Sequence, residues 1–315
     1  MAHRKRGRFQ GRGFSLIELL VVIAIIALLV GLLAPGIKVF KRAADNLKQK
    51  SIFHGFETAL ELFSKDHDGY PNSDVLSADG TTDLVCGAQL LAEALVGRDQ
   101  RGFEPQTGWY PPDDTVYKDD APDDLYTNVD DSLNRRKGPY TELKKDVGVF
   151  TIFQLYDTPD NVYAPDPGTV TTTELSPVLT DIYHKKIELP GGTKIKVGSP
   201  ILYYKANAAS RYFIGDLPDV PETSRWIYDY EDNRAIIELG MMEDQMVDHH
   251  FDQAFTDDDG KNGWEVFYKT ITNPAVDPTA TGQFMKPFNP KTHILISAGW
   301  DGIYGTDDDI SNFDY

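Results

Sequence analysis

Residues 12–36 read RGFSLIELLVVIAIIALLVGLLAPG, and how that stretch is read decides the fold. From Leu19 to Ala34 no side chain is polar, and Phe14, Leu16 and Ile17 extend the apolar run toward the N-terminus. As a helix, residues 14–34 span about 32 Å at 1.5 Å per residue, close to the roughly 30 Å hydrocarbon core of a bilayer. One residue breaks the pattern. Glu18 is a carboxylate inside the run, and a charge costs roughly 2.5–3.5 kcal/mol at mid-bilayer, less near an interface. A secretory signal has an apolar core of only about 7–15 residues and a small-residue cleavage site, and GLLAPG offers no such site. A plain membrane anchor fits the length. The bases ahead of it, Arg4, Lys5, Arg6, Arg8 and Arg12, would hold that end in the cytoplasm and place everything after Ala34 outside. This reading explains the hydrophobicity and leaves Glu18 unexplained.

The 315 residues allow one large or two small domains with ample core. The formal charge is −18, and residues 1–13 hold five bases and no acid, so the rest of the chain carries −23. A body that acidic repels phosphate, which argues against DNA or RNA as a ligand. It suits a solvated extracytoplasmic domain or one that collects cations. Cys86 is the only cysteine, so neither an intrachain disulfide nor a thiolate cluster can form. It reads as a small buried apolar residue.

Beyond Pro35 and Gly36 the helical pattern resumes, with Phe40, Ala44, Leu47, Ser51, Phe56, Ala59 and Phe63 at three- to five-residue steps among charged residues. The pattern predicts one helix, kinked at the proline, from about Phe14 to Lys65, its second half amphipathic. Asp66-His67-Asp68-Gly69 ends it, with Gly69 expected at the left-handed capping position. His67 reads as a surface turn residue rather than a metal ligand. GAQLLAEALVG (87–97) predicts a short helix. Residues 104–131 carry nine acids against one base and four prolines, which predicts an irregular solvated loop, and 157–172 look similar. KKIELPGGTKIKVGSPILYYKAN (185–207) predicts a hairpin turning at Pro190-Gly191-Gly192; RYFIGD (211–216), SRWIYDY (224–230) and WEVFYKTI (264–271) read as strands. RAIIELGMMEDQMVDHHFDQAF (234–255) reads as more helical, with His249 and His250 a solvated pair rather than a transition-metal site, since adjacent helical residues do not face one way.

The C-terminal segment ILISAGWDGIYGTDDDISN (294–312) is the second informative stretch. Asp301, Asp307, Asp308 and Asp309 put four carboxylates in nine residues, with glycines to turn the backbone. Such a set suits a hard cation with oxygen ligands at about 2.3–2.6 Å; the alternative is a solvated acidic turn. The EF-hand spacing does not fit. TDDDGKNG (256–263) reads as an exposed turn, with a second calcium site as the alternative. No phosphate-binding Gly-rich loop, G-x-S-x-G elbow or H-E-x-x-H is present, so no enzymatic role is expected.

The basic leader, Gly13, Phe14 and then S-L-I-E-L-L-V-V-I-A-I-I resemble the class III signal of type IV pilins and type II secretion pseudopilins. The resemblance implies that a prepilin peptidase cuts between Gly13 and Phe14 on the cytoplasmic side and methylates the new terminus. It makes Glu18 the family's acidic residue, which meets the Phe14 amine of a neighbouring subunit during filament assembly. ETALELFSKDHDGYPNS (57–73) is similar to the major type II pseudopilin. So is S-x-G-x-D-G at 297–302, the family's calcium loop, which implies Asp301 and the Ala298 carbonyl as ligands with Asp307, Asp308 and Asp309 as candidates to complete the shell. The implied protein is an α+β chain. A cleaved leader (1–13) precedes a transmembrane helix and filament core (14–35) and the amphipathic half of the same helix (36–65). A periplasmic head on an antiparallel sheet follows (66–315), with an enlarged insertion at about 98–200. The implied function is a structural subunit of a type II secretion pseudopilus in the inner membrane. Its partners would be the peptidase, other copies, minor pseudopilins and the assembly platform. A type IV or competence pilus subunit, or a membrane-tethered binding or enzymatic domain, remains the alternative. The single cysteine disfavours the disulfide-closed loop usual in adhesion pili.

Overall fold

The helix expected from the apolar run, α1, covers Leu16–Asp66, 51 residues that continue through Pro35 and Gly36. The computed structural model describes residues 14–74, 76–77, 84–105, 126, 130–142, 148–164, 176–188, 192–210, 226–275 and 286–313. These fall into two units, Met1–Asp45 and Asn46–Tyr315. In the first, every large apolar side chain from Phe14 to Val30 is exposed. The helix is long and apolar enough to cross a membrane, by length and composition. In the second unit, Phe53, Phe56, Ala59, Leu60 and Phe63 of the same helix are buried. Each large side chain of that stripe contributes roughly 1.5–3 kcal/mol by leaving water.

α1 stops through a 6→1 bond, the Gly69 N–H donating to the Ser64 carbonyl at 3.1 Å. The left-handed residue at that stop is Asp68 (φ 56°), not Gly69. Aspartate tolerates that conformation because its short polar chain bonds locally. His67 is half-buried rather than a surface residue: its Nε2 bonds the Tyr140 hydroxyl at 3.1 Å, and its ring meets Phe63 and Phe103.

The apolar stripe of α1 shares a core with Leu91, Leu95 and Val96 of α2 (Gly87–Val96) and with Tyr203 and Leu295 of the main sheet. Helix α2 opens on glycine for a steric reason. A Cβ at Gly87 would lie 2.3 Å from the Tyr203 carbonyl oxygen. Asn233 fastens this contact, accepting from the Ala88 N–H and donating to the Tyr203 carbonyl, both at 2.8 Å. Cys86 caps the helix; burial pushes its thiol up to about 12, so it is no nucleophile at neutral pH.

Short antiparallel pairs surround this centre. β1 (Leu76–Ser77) pairs with β2 (Leu84–Val85). After α3 (Asp130–Arg135), β3 (Val149–Thr151) runs into α4 (Ile152–Leu155) and pairs with β4 (Pro177–Leu179). β5 (Lys185–Glu188) and β6 (Lys194–Val197) form the expected hairpin, its Pro190-Gly191 turn lying outside the described residues. The main sheet has the order β7–β8–β9, antiparallel, from Leu202–Lys205, His293–Ser297 and Ile310–Ser311. The class is α+β, and residues 98–200 add strands and helices consistent with an insertion.

Several expectations fail. WEVFYKTI is helical: α6 covers Gly263–Thr270. Its aromatic and β-branched residues suggested a strand, but Asn262 and Glu265 form a reciprocal capping box that commits the segment to helix. SRWIYDY is not a strand in its described part; Tyr230–Asn233 is a 3₁₀ turn nucleated by Asp229. The 234–255 segment is helical only at Arg234–Ile237 (α5), and the rest is turns. His249 is buried, not solvated. RYFIGD lies outside the described residues, as does most of 104–131.

The described part of that acidic region is held by a buried ionic network. Glu93 pairs with Arg98 at 2.9 Å and accepts from the Tyr126 hydroxyl at 3.0 Å. Arg98 and Arg136 lie over the Tyr126 ring, 5.4 and 4.9 Å from its centroid. Arg136 pairs with Asp99 at 2.6 Å, and Arg135 with the buried Glu104 at 3.2 Å. Removing one member of a buried pair strands the other charge. Glu93→Ala is therefore expected to lower unfolding stability by about 3–5 kcal/mol in denaturant titration, and Glu93→Gln by less. A loss under about 1 kcal/mol would show that the network is dispensable.

Candidate functional site

Two places carry chemistry. The first is the start of α1, where Ser15-Leu16-Ile17-Glu18 is a capping box. The Ser15 N–H donates to Glu18 Oε2 at 2.9 Å, and the Glu18 N–H donates to Ser15 Oγ at 3.2 Å. The carboxylate thus satisfies an orphan N–H at the positive end of its own helix, which lowers the cost of the charge there. The resemblance implies only the Phe14 amine as a partner for Glu18; the cap is a second one. The S-x-x-E spacing was the available signal. Phe14 is exposed beside this cap; Gly13 lies outside the described residues.

The second place is the loop from Ala298 to Asp309, closed by the pairing of Ile296 with Ser311 and Ser297 with Ile310. Gly299, at φ 63°, crosses so close to the returning strand that a Cβ would lie 2.1 Å from the Asp308 carbonyl oxygen. Asp308 ties the two arms together. Its Oδ2 accepts from the N–H groups of Trp300 (2.7 Å) and Asp301 (3.1 Å), and its Oδ1 from the Thr306 hydroxyl (2.7 Å). Asp301 Oδ1 accepts from the Ile303 N–H at 2.8 Å, and Asp309 Oδ2 from the Gly305 N–H at 2.7 Å.

Because the Asp308 carboxylate sits against the Asp301 backbone N–H, the two carboxyl groups are close neighbours. Partial burial, and then this neighbour, pushes Asp301 above the usual carboxylate range. Asp308 resists its own partial burial and is held below that range by Thr306, Asp301 and the two backbone donors. Burial pushes Asp309 well above it, and its Oδ1 is out of solvent with no hydrogen-bond partner. Carboxylates this close share a proton or hold a cation. Asp307 is exposed to solvent. Among the described residues no three His, Cys, Asp or Glu side chains converge as a metal cluster. Of the four aspartates of the loop, Asp301 and Asp308 approach one another, and Asp309 keeps one buried oxygen without a partner.

Sequence reasoning missed what supports the loop. Lys185 donates to the Asp301 carbonyl at 3.0 Å and pairs with Glu243 at 3.5 Å. The buried Asp181 accepts from Ser297 Oγ at 2.7 Å and from the N–H groups of Tyr183 and Ser199, both at 3.1 Å. Burial pushes Asp181 up to about 7 against those donors. Asp181 and Lys185 lie more than a hundred positions before the loop, and no local spacing announces them. The other acidic stretch is a self-contained turn: Asp257 Oδ1 accepts from the N–H groups of Asp259 (3.0 Å) and Lys261 (2.7 Å), leading into α6.

Comparison with known proteins addresses the first place. A family model for the prokaryotic N-terminal methylation motif matches residues 8–34. The type II secretion system core protein G of Pectobacterium carotovorum is 35% identical over 66 residues, 21% of this chain and 42% of that protein. Its namesake in Escherichia coli K12 is 38% identical over 63 residues, 20% and 43% of the two chains. That of Aeromonas hydrophila is 36% identical over 62 residues, again 20% and 43%. The chain spans less than half the length of the curated relatives it matches. No solved structure matches it. The resemblance read from the leader and apolar run therefore holds for the N-terminal region.

Proposed function

We propose that the chain is a structural subunit of a type II secretion pseudopilus, anchored in the inner membrane by α1 with its C-terminal unit outside. One observation carries this reading. A methylation motif at residues 8–34 runs into a 51-residue helix whose apolar half, in the first unit, is left unburied. An anchor alone needs neither the G-F-S-L-I-E junction nor a carboxylate within it. A filament subunit needs both: a cut to create an amine, and a carboxylate to meet it. The proposed partners are a prepilin peptidase, further copies of the chain, minor pseudopilins and an inner-membrane assembly platform. Co-expression with a peptidase and a type II assembly system should give surface filaments containing this chain. A protein that is processed yet never leaves the membrane would favour the tethered-domain alternative.

For the C-terminal loop we propose calcium. Asp301 and Asp308 would supply carboxylate oxygens, Ala298 a carbonyl, and the orphaned Asp309 oxygen a further donor. The ion would neutralise carboxylates that otherwise repel one another or share a proton. No role beyond stabilising the head is assigned to it.

A further inference from the structure

We infer that His249 is a positioning residue of the carboxylate loop, holding the backbone at Tyr304 so that the Asp301 and Asp308 arms stay together. This rests on the proposed calcium reading. The imidazole is fully buried, and its Nδ1 accepts from the Tyr304 N–H at 3.1 Å. The next residue completes the clamp, the His250 N–H donating to the Tyr304 carbonyl at 2.8 Å. The His249 and Tyr304 rings lie 4.6 Å apart, and the Tyr304 hydroxyl donates to the Pro200 carbonyl. A Cβ at Gly305 would come within 2.7 Å of His250 Cβ, so the loop seats against this segment with no room to spare.

The chemistry selects histidine. The acceptor must be a side-chain atom two bonds beyond Cβ, and it must be uncharged, because the site is sealed from water. Neutral imidazole with its proton on Nε2 meets both conditions. Burial lowers the basicity of His249 to about 3, which keeps Nδ1 free to accept throughout the neutral range. Tyr304 sits midway between Asp301 and Asp308 in the chain, so fixing it removes the freedom that would let the arms part. An ion then meets a formed loop and need not order it, which strengthens binding by pre-organisation.

The full-length protein in detergent micelles provides the test, with two readouts. In chelator, backbone amide exchange at Tyr304 reports the clamp; the rise in melting temperature on adding calcium reports the site. His249→Leu should speed Tyr304 exchange about tenfold or more through the lost hydrogen bond, and should shrink the calcium-induced rise. His249→Asn, whose Oδ1 stands where Nδ1 did, should restore both. His249→Gln, with its acceptor one methylene too far, should behave like leucine and serves if the leucine variant does not fold. Unchanged exchange and an unchanged calcium response in the leucine or glutamine variant would overturn the inference, as would failure of asparagine to restore either. If the wild type does not respond to calcium, the ion reading fails. The clamp is then judged on exchange alone, by the same contrast of glutamine with asparagine.

Discussion

Glu18→Ala should insert into membranes at least as well as the wild type and be missing from filaments. Both halves follow from where the charge sits. Alanine removes a carboxylate from an apolar helix, which favours insertion by as much as roughly 2.5–3.5 kcal/mol if the residue lies deep, and by less near the interface. In the isolated chain that carboxylate is engaged at 2.9 Å with the Ser15 N–H, so the variant also loses a helix cap worth about 1 kcal/mol. The capping loss is small against the assembly effect. On the proposed reading, a carboxylate unpaired with a neighbour's amine is the feature that makes the filament core preferable to lipid, and without it that preference is gone. Ser15→Ala separates the two roles. It removes the Oγ side of the box at 3.2 Å while leaving the carboxylate, and should reduce filament yield only modestly. Membrane fractionation and filament counts read both variants. Filaments at wild-type yield from Glu18→Ala would remove the pairing argument.

Calcium should raise the melting temperature of the full-length protein in detergent by several degrees over chelator, and Asp301→Ala should abolish that rise. A ligand bound only by the folded state adds about 2.7 kcal/mol at a hundredfold excess over Kd, enough for a shift of a few degrees in a chain of this size. Asp301 is the residue to remove because it faces Asp308 from the opposite arm of the loop. Asp258→Ala, in the self-contained turn before α6, should leave the response intact. Magnesium should substitute poorly, because it demands a tighter octahedral shell and sheds water reluctantly. A melting temperature indifferent to calcium would mean that Asp301 and Asp308 share a proton instead.

What could be read in advance was local. α1 was legible because its apolar run and its i, i+3, i+4 pattern are properties of neighbouring residues, and its observed bounds lie within two residues of those expected. Helix α2 and the β5–β6 hairpin were legible for the same reason. Errors came where two local signals competed. In 263–270 the β-branched and aromatic residues pointed to strand, while Asn262 and Glu265 three residues apart pointed to a helix start; the capping box won. His249 shows a second limit. Two adjacent histidines on a stretch read as helical look solvated, and only long-range packing brings the first under Tyr304. The carboxylate loop was legible in its glycines and aspartates, but not in its supports, because Asp181 and Lys185 reach it from far away in sequence. Which aspartates meet was likewise decided by the turn at Gly299, which brings Asp308 rather than Asp307 against the Asp301 arm.

The central claim is that residues 8–34 are a working prepilin signal and not simply an anchor. N-terminal sequencing with intact mass, on protein extracted from membranes of cells that express a prepilin peptidase, tests it most directly. The account predicts a mature chain beginning at N-methylated Phe14, with the five leader bases gone, and a full-length chain when Gly13 is replaced or the peptidase is absent. A mature protein beginning at Pro35 or beyond, or one that keeps its leader in the presence of active peptidase, would contradict it.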